Sequence, residues 1–163
     1  MKLLLDKIEK VLAVVIAVLM GVLVVDVTWQ VVSRFIMSDP SSFTEEVALF
    51  LLLWIAMLGA AYAFRRGAHL GLDIVIEKLH GAKKILAQRL ADFVCLFFAC
   101  AILIYGGLEL VILNLDLKQT SAALGIEVWK VYIVIPISGV LIAIFSLERI
   151  LSGAPELDHS QSQ

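Results

Sequence analysis

Long apolar runs, separated by shorter polar stretches, are the main feature of this chain. They cover residues 11–25, 47–64, 93–108 and 131–147, and the last run contains Pro136 and Gly139 as its plausible break. About 20 apolar residues in a helix cross a bilayer, and a helix satisfies its own backbone hydrogen bonds where no water is present. The pattern therefore predicts four transmembrane helices, at about 11–36, 44–64, 86–113 and 129–149.

Composition supports a membrane protein. The chain has 163 residues, of which 61% are hydrophobic and only 17% are charged, whereas a soluble domain is about half apolar and a quarter charged. We therefore expect an all-α integral membrane protein with a single four-helix domain at 1–151 and a disordered cytoplasmic tail at 152–163. The net charge of −2 gives no indication of a nucleic-acid partner.

Lysine and arginine residues are distributed unevenly among the predicted loops. Ten of the 13 lie before the first run, between the second and third runs, or after the fourth. Because positive residues accumulate on the cytoplasmic side, we expect both termini and the middle loop to lie in the cytoplasm. No small-residue cleavage site follows Val25, so the first run is expected to remain in the protein.

The middle loop has a helical pattern of its own. Apolar residues from Leu72 to Leu79 fall on one helical face and polar residues fall on the other, which predicts a short amphipathic helix at about 71–82 that lies in the membrane interface. His69 precedes this helix, and we interpret it as an anchor for the loop. Arg65 and Arg66 end the second span at the cytoplasmic surface.

A polar stripe on the first span comprises Asp26, Gln30, Ser33 and Arg34. An ionised carboxylate inside lipid is costly and normally faces a partner or a wet cavity. Asp26 is therefore either a proton or ion site or a group that hydrogen-bonds another helix or subunit, and the second interpretation is favoured because no second carboxylate lies at the same depth in the apolar runs. Gln30 is placed to bridge Asp26 and Arg34.

Three further expectations concern contacts of the spans. Ser42 with Glu45 is typical of a capping box at the start of the second span, and Glu45 or Glu46 is a candidate ion-pair partner for Arg34 across the short outer turn. Small residues around Gly59 recur at spacings of three and four, which predicts close helix packing there. Asp92, beside Arg89, is expected to be a solvated boundary residue.

Chemistry-bearing motifs are missing from the sequence. It contains no Cys/His cluster at metal-ligand spacing, no glycine-rich phosphate loop and no nucleophile with a histidine base. A membrane redox protein needs haem or quinone ligands inside its spans, and the spans contain no histidine. The sequence therefore predicts a protein that is not an enzyme and binds no cofactor.

Four segments occur in a distinctive order along the chain. Arg34-Phe35 closes the first predicted span, SSFTEEVALFLLLW opens the second, LGAAYAFRRGAHLGLDIV follows, and TSAALGIEVWKVYIVIPISGVL leads into the fourth. Together they resemble the small membrane subunit, or DctQ-like component, of the tripartite ATP-independent periplasmic (TRAP) transporters. The resemblance carries over a set of family-motif positions with structural or interface roles, namely Arg34, Glu45, Glu46, Arg65, Arg66, His69 and Asp73.

The resemblance implies a role in uptake across a bacterial inner membrane. A periplasmic binding protein would deliver an organic anion to a large multi-span subunit, which carries it inward with a sodium gradient. The small subunit would be a scaffold that braces the large one in the bilayer. The alternative is a self-sufficient homo-oligomeric carrier or proton channel that works through Asp26.

Overall fold

The computed structural model of the chain describes residues 2–35, 42–67 and 82–152, which form four long helical spans without a β-strand. Span 1 is Lys2–Phe35 and span 2 is Ser42–Arg65. Span 3 is continuous through Ala82–Phe98, Ala99–Gly106 and Gly107–Asp116, and span 4 consists of Trp129–Tyr132 and Val134–Ser152. All four are long and apolar enough to cross a bilayer. The prediction of an all-α membrane protein with four membrane helices is therefore confirmed.

The helices extend beyond the apolar runs that predicted them. Span 1 begins at Lys2 instead of near residue 11, because helical hydrogen bonding continues through the charged segment that precedes the run. The predicted interfacial helix lies outside the described residues, except that Ala82 opens span 3. The helix of span 4 reaches Ser152, and the rest of the predicted tail lies outside the described residues.

The middle of span 3 is a π-helix, Ala99–Gly106, with an α-helix on either side. The amide of Gly107 donates to the carbonyl oxygen of Ile102, five residues earlier, which is the hydrogen bond that defines a π-helix. Helices of this kind are rare and occur often at functional sites. Nothing in the composition of this apolar segment distinguishes it from an ordinary helix.

Span 4 is interrupted at Ile133. Pro136 has no amide hydrogen to donate to the carbonyl of Tyr132, four residues earlier, and its ring crowds that carbonyl. The interruption therefore falls one turn before the proline, and not at Pro136 and Gly139 as the sequence suggested. The indole Nε1 of Trp54 in span 2 donates to the carbonyl oxygen of Val131 at 3.1 Å, so the neighbouring span holds the interrupted segment.

The spans pack in the order 1, 2, 4, 3, with spans 2 and 4 in the centre. One apolar cluster joins spans 1, 2 and 4 through Leu12, Leu58, Ala61 and Val134. A second cluster, nearer to Arg65, joins Leu5, Phe64 and Phe145. In its most apolar window span 4 is 44% buried and span 1 only 6%, so the outer spans keep wide apolar surfaces for lipid or for another protein.

Charged residues mark one level of the bundle, and aromatic and acidic residues mark a second. In span 1, Glu9 lies at the first level and Trp29 at the second, 20 residues later. In span 2, Glu45 lies at the second level and Arg65 at the first, also 20 residues apart. That separation of 20 residues is about 30 Å of α-helix, the thickness of a hydrocarbon core. We name the two levels the Arg65 end and the Glu46 end; the prediction that the Arg65 end is cytoplasmic stays a prediction.

Spans 3 and 4 pack closely against each other at two glycines. A Cβ atom added to Gly139 of span 4 would lie 2.7 Å from Cβ of Leu103 in span 3. A Cβ atom added to Gly107 of span 3 would lie 3.0 Å from Cδ of Pro136 in span 4. Because side-chain atoms do not come this close without displacement, each glycine makes room for the opposite helix.

Candidate functional site

At the Arg65 end, a single guanidinium group joins three spans. Nη1 of Arg65 forms an ion pair with Oε2 of Glu148 in span 4. Its Nη2 lies 3.0 Å from Oδ1 of Asp6, and its Nε lies 3.6 Å from Oε2 of Glu9, both in span 1. The side chains of Arg65 and Glu148 are only 16% and 6% exposed. The predicted end of span 2 is therefore a tie between neighbouring helices as well as a stop signal.

Arg66 makes a more exposed contact on the same side. Its Nε donates to Oε1 of Glu9 at 2.8 Å, and its guanidinium carbon lies 5.3 Å from the centre of the Tyr62 ring. Glu9 therefore forms ion pairs with two consecutive arginines, which ties span 1 to the last turn of span 2. Exposed pairs of this kind contribute little stability by themselves, so we assign most of the attachment to Arg65.

A second ion pair brings in span 3. Nε of Arg149 lies 3.3 Å from Oδ1 of Asp92, and the hydroxyl of Ser146 donates to the backbone carbonyl of Asp92 at 3.4 Å. Asp92 is only 4% exposed. The expectation that it is a solvated boundary residue beside Arg89 is therefore wrong: helix packing places it against span 4, where Arg149 compensates its charge.

Arg65 and Arg149, which are both half-buried, each lie over an aromatic ring of the other's span. The guanidinium carbon of Arg65 lies 5.6 Å from the ring centre of Phe145, and that of Arg149 lies 5.5 Å from the ring centre of Phe64. Because Phe64 precedes Arg65 in span 2 and Phe145 precedes Arg149 in span 4, each span supplies a cation to the other's ring. Such contacts strengthen when they are shielded from water.

Together these residues form what we call the Arg65 cluster, which consists of Asp6, Glu9, Arg65, Arg66, Asp92, Glu148 and Arg149. It has four acidic and three basic groups, so its charges nearly cancel. Desolvation makes such pairs costly to bury, and removing one partner leaves a charge without compensation. The arrangement therefore fixes the relative positions of four helices.

Sequence reasoning missed most members of the Arg65 cluster. It named Arg65 and Arg66 but not their partners Asp6, Glu9 and Glu148, which are 56 to 83 residues distant. A signal was present, because each of the four spans carries a charged residue at the same end. Which charges meet depends on the packing order of the helices, and the apolar pattern does not contain that order.

Glu46 organises the opposite end of the bundle. Its Oε2 accepts from the hydroxyl of Ser121 at 2.8 Å and from the backbone amides of Ala123 and Leu124 at 2.9 and 3.0 Å. Three donors on one carboxylate oxygen fasten the loop between spans 3 and 4, residues 117–128, to the first turns of span 2. We call this contact the Glu46 clasp.

The predicted ion pair between Arg34 and an acidic residue of span 2 is wrong. The structure describes Arg34, Glu45 and Glu46, and no ion pair joins the arginine to either glutamate; Glu46 is engaged by the 117–128 loop instead. Arg34 and Glu45 are both exposed. Helix Ser42–Arg65 begins at Ser42 and the residue before it is not described, so the capping box stays a prediction.

The polar stripe of span 1 forms a short hydrogen-bonded chain. Nε2 of Gln30 donates to Oδ2 of Asp26 and to the backbone carbonyl of Thr44 in span 2, both at 2.9 Å. Asp26 is half-buried. Gln30 therefore reaches Asp26 as predicted, but its second contact is span 2 and not Arg34. The role of Asp26 at a subunit interface stays a prediction.

Three other candidate residues have simpler outcomes. A Cβ atom added to Gly59 would meet nothing within 4 Å, so the prediction that helices of this chain pack closely at Gly59 is wrong. Contact of Gly59 with another chain stays a prediction. His69 and Asp73 lie outside the described residues. In the described ranges, no group of three or more His, Cys, Asp or Glu side chains is placed to hold a metal ion.

These observations define a multi-pass helical membrane protein whose buried charges connect its own spans. Residues 22–156 match the model of one family, described as the tripartite ATP-independent periplasmic transporters, DctQ component. Because the match covers most of the chain, the protein belongs to that family, the small permease subunits of TRAP transporters. The resemblance drawn from the sequence motifs is confirmed.

Individual relatives are similar over much of the chain. A protein named putative TRAP transporter small permease protein, from Haemophilus influenzae, is 27% identical over 90% of this chain and 88% of its own length. The sialic acid TRAP transporter small permease protein SiaQ of Vibrio cholerae is 27% identical over 82% of this chain and 76% of its own. The isethionate TRAP transporter permease protein DctMQ of Oleidesulfovibrio alaskensis is 29% identical over 65% of this chain, but over only 16% of its own length.

Proposed function

We propose that this chain braces the large membrane subunit of a TRAP transporter in the bacterial inner membrane and carries no solute itself. The observation that carries this proposal is the Arg65 cluster, in which Arg65 pairs with Glu148 and Arg149 with Asp92 across the spans. A carrier needs charged groups that are free to meet a solute, whereas these are engaged with one another. A rigid bundle with wide apolar sides is suited to supporting a larger protein.

The DctMQ relative supports a large membrane subunit as the main partner. The stretch that resembles this chain makes up 16% of that protein, so it lies within a much longer permease chain. For the present chain, we propose that the same association takes place between separate polypeptides. A periplasmic substrate-binding protein and a sodium gradient acting on the large subunit complete the system that the resemblance implies.

The proposed cargo is an organic anion. The names of two relatives refer to sialic acid and isethionate, both of which are acids that are ionised at neutral pH. These two relatives therefore share a chemical class but not a compound, whereas a third relative is named for ectoine, a zwitterion that carries a carboxylate. We assign the choice of compound to the binding protein and the large subunit.

Co-purification tests the proposal. The chain, tagged and expressed together with the large permease that we expect to be encoded beside it, should bring that permease down in a stable complex. The chain reconstituted alone in liposomes should give no proton flux with an internal pH-sensitive dye. Proton flux from the isolated chain, if it were lost in Asp26→Asn, would overturn the proposal and support the self-sufficient channel.

A further inference from the structure

One side of span 3 carries two exposed polar side chains on an otherwise apolar surface. Tyr105 is 66% exposed, and Glu109, one helical turn later, is exposed as well. Residues four positions apart on a helix are neighbours, so the side chains of Tyr105 and Glu109 lie next to each other. Ile102 and Ile112 extend the same side, and each is 54% exposed. We call these four residues the Glu109 face.

The Glu109 face points away from the rest of the chain. Gly107, only two residues before Glu109, is buried where a Cβ atom would meet Ile135 and Pro136 of span 4. Residues two positions apart on a helix lie about 200° apart around its axis. Span 3 therefore turns its glycine side towards span 4 and its carboxylate side outwards.

The depth of Glu109 makes this exposure costly in lipid. Glu109 lies seven residues before Asp116, where span 3 ends, which places it roughly 10 Å below that end of the helix. A carboxylate has about four acceptor sites, and a single neighbouring hydroxyl such as that of Tyr105 can fill only one of them. Ionisable groups inside a membrane are expensive and face protein partners or water-filled cavities as a rule.

Span 1, at the other edge of the bundle, lacks an equivalent group. At a comparable depth its exposed side consists of Val24 and Val25. The hydroxyl of Thr28 donates to the carbonyl of Val24 in its own helix at 2.7 Å, and Asp26 is held by Gln30. The exposed side of span 1 is therefore suited to lipid, whereas that of span 3 requires a polar partner.

We propose that the Glu109 face is the surface by which this chain contacts the large membrane subunit, and that a transmembrane helix of that subunit donates an arginine or lysine to Glu109. This inference rests on the proposed function. It adds that the contact is made by the span 3 edge of the bundle and that the charge of Glu109 takes part in it. The apolar neighbours Ile102 and Ile112 supply the surrounding packing. Tyr105, one helical turn before Glu109 and exposed on the same side, belongs to the contact surface.

Site-specific photo-crosslinking tests the choice of edge. Benzoylphenylalanine is introduced at Ile112 and, as a depth-matched control on the other edge, at Val24, in the chain co-expressed with the large subunit. Irradiated membranes should yield a crosslink to the large subunit from Ile112 and not from Val24. A crosslink to the large subunit from Val24 alone, or from Ile112 to a second copy of this chain, would overturn the inference.

Substitution of the carboxylate tests the charge. Glu109→Leu should reduce recovery of the large subunit roughly tenfold, the loss expected for one hydrogen bond to a charged group, and Glu109→Gln should restore part of it. The isolated Glu109→Leu chain should keep the melting temperature of the wild type in detergent. Unchanged recovery in a well-folded Glu109→Leu chain refutes this inference alone, whereas a wild-type chain that never recovers the large subunit refutes the proposed function.

Discussion

The guanidinium group of Arg65 at the end of span 2 contacts the carboxylate of Glu148 in span 4, although 83 residues separate them in the sequence. Both side chains are largely buried, and the ring of Phe145 lies under the same guanidinium. Because spans 2 and 4 are the central helices, this ion pair fixes the axis around which spans 1 and 3 are arranged.

A double-mutant cycle measures the Arg65–Glu148 ion pair. Arg65→Gln and Glu148→Gln should each destabilise the chain, because each leaves a charge without its partner. The double variant should be less destabilised than the sum of the singles, with a coupling free energy of about 1–3 kcal/mol. The measurement is the free energy of unfolding in mixed micelles. Lys7→Gln, an exposed change on span 1, serves as the control and should have little effect; strict additivity would contradict the pairing.

Two glycines give a matched test of helix packing. Gly139→Ala should lower the free energy of unfolding by about 1–3 kcal/mol, because the added Cβ atom would lie 2.7 Å from Cβ of Leu103. Gly59→Ala should be neutral or should stabilise by up to about 1 kcal/mol, because alanine is the better helix former and the site is open. Thermal unfolding of the isolated chain in detergent checks both. Equal losses at the two positions would contradict the packing described for spans 3 and 4.

The Glu46 clasp predicts a local change in dynamics. Glu46→Ala removes the acceptor of the Ala123 and Leu124 amides, so both amides should exchange with deuterium about ten times faster. Glu45→Ala, one residue earlier and exposed, is the control and should leave those amides protected. Exchange measured by mass spectrometry on peptides that cover residues 119–128 distinguishes the two. Unaltered protection in Glu46→Ala would show that the loop is held by other contacts.

The partner of Asp92 can be tested by comparing two arginines. Arg149→Gln should lower the melting temperature in detergent markedly, since it leaves the carboxylate of Asp92 buried without its neighbouring cation. Arg89→Gln should have a much smaller effect, because Arg89 is exposed. Asp92→Asn in the Arg149→Gln background should recover part of the loss. The reverse ranking of the two arginines would favour the solvated position that the sequence suggested for Asp92.

The spans were predictable because a run of about 20 apolar residues matches the thickness of a bilayer and is rare in soluble proteins. The helices extend beyond the predicted spans, since a helix can continue into charged sequence, as at Lys2, and the bounds of the membrane-crossing parts stay a prediction. The π-helix of span 3 was not predictable, because its residues are as apolar as those of an ordinary span. The interruption at Ile133 followed from Pro136, but its exact place depends on the carbonyl four residues earlier.

Contacts between spans were harder to predict than the spans. Small residues around Gly59 and the single glycines Gly107 and Gly139 all permit close approach, but only the helix order decides which of them meets a neighbour. The sequence suggested that Glu45 or Glu46 would pair with Arg34 across the short turn between spans 1 and 2. In the structure, Glu46 instead contacts the 117–128 loop, which is distant in the sequence. Proximity along the chain was therefore a poor guide to contacts at the Glu46 end.

The packing order 1, 2, 4, 3 has a consequence for biosynthesis. Spans 1 and 2 leave the ribosome in succession and can associate as a hairpin as soon as both are inserted. Span 3 packs mainly on span 4, which is translated after it, so the third helix has to wait in the bilayer for its neighbour. Translation of span 4 also delivers Glu148 and Arg149, so the contacts that join the four spans are complete only after this span has been made.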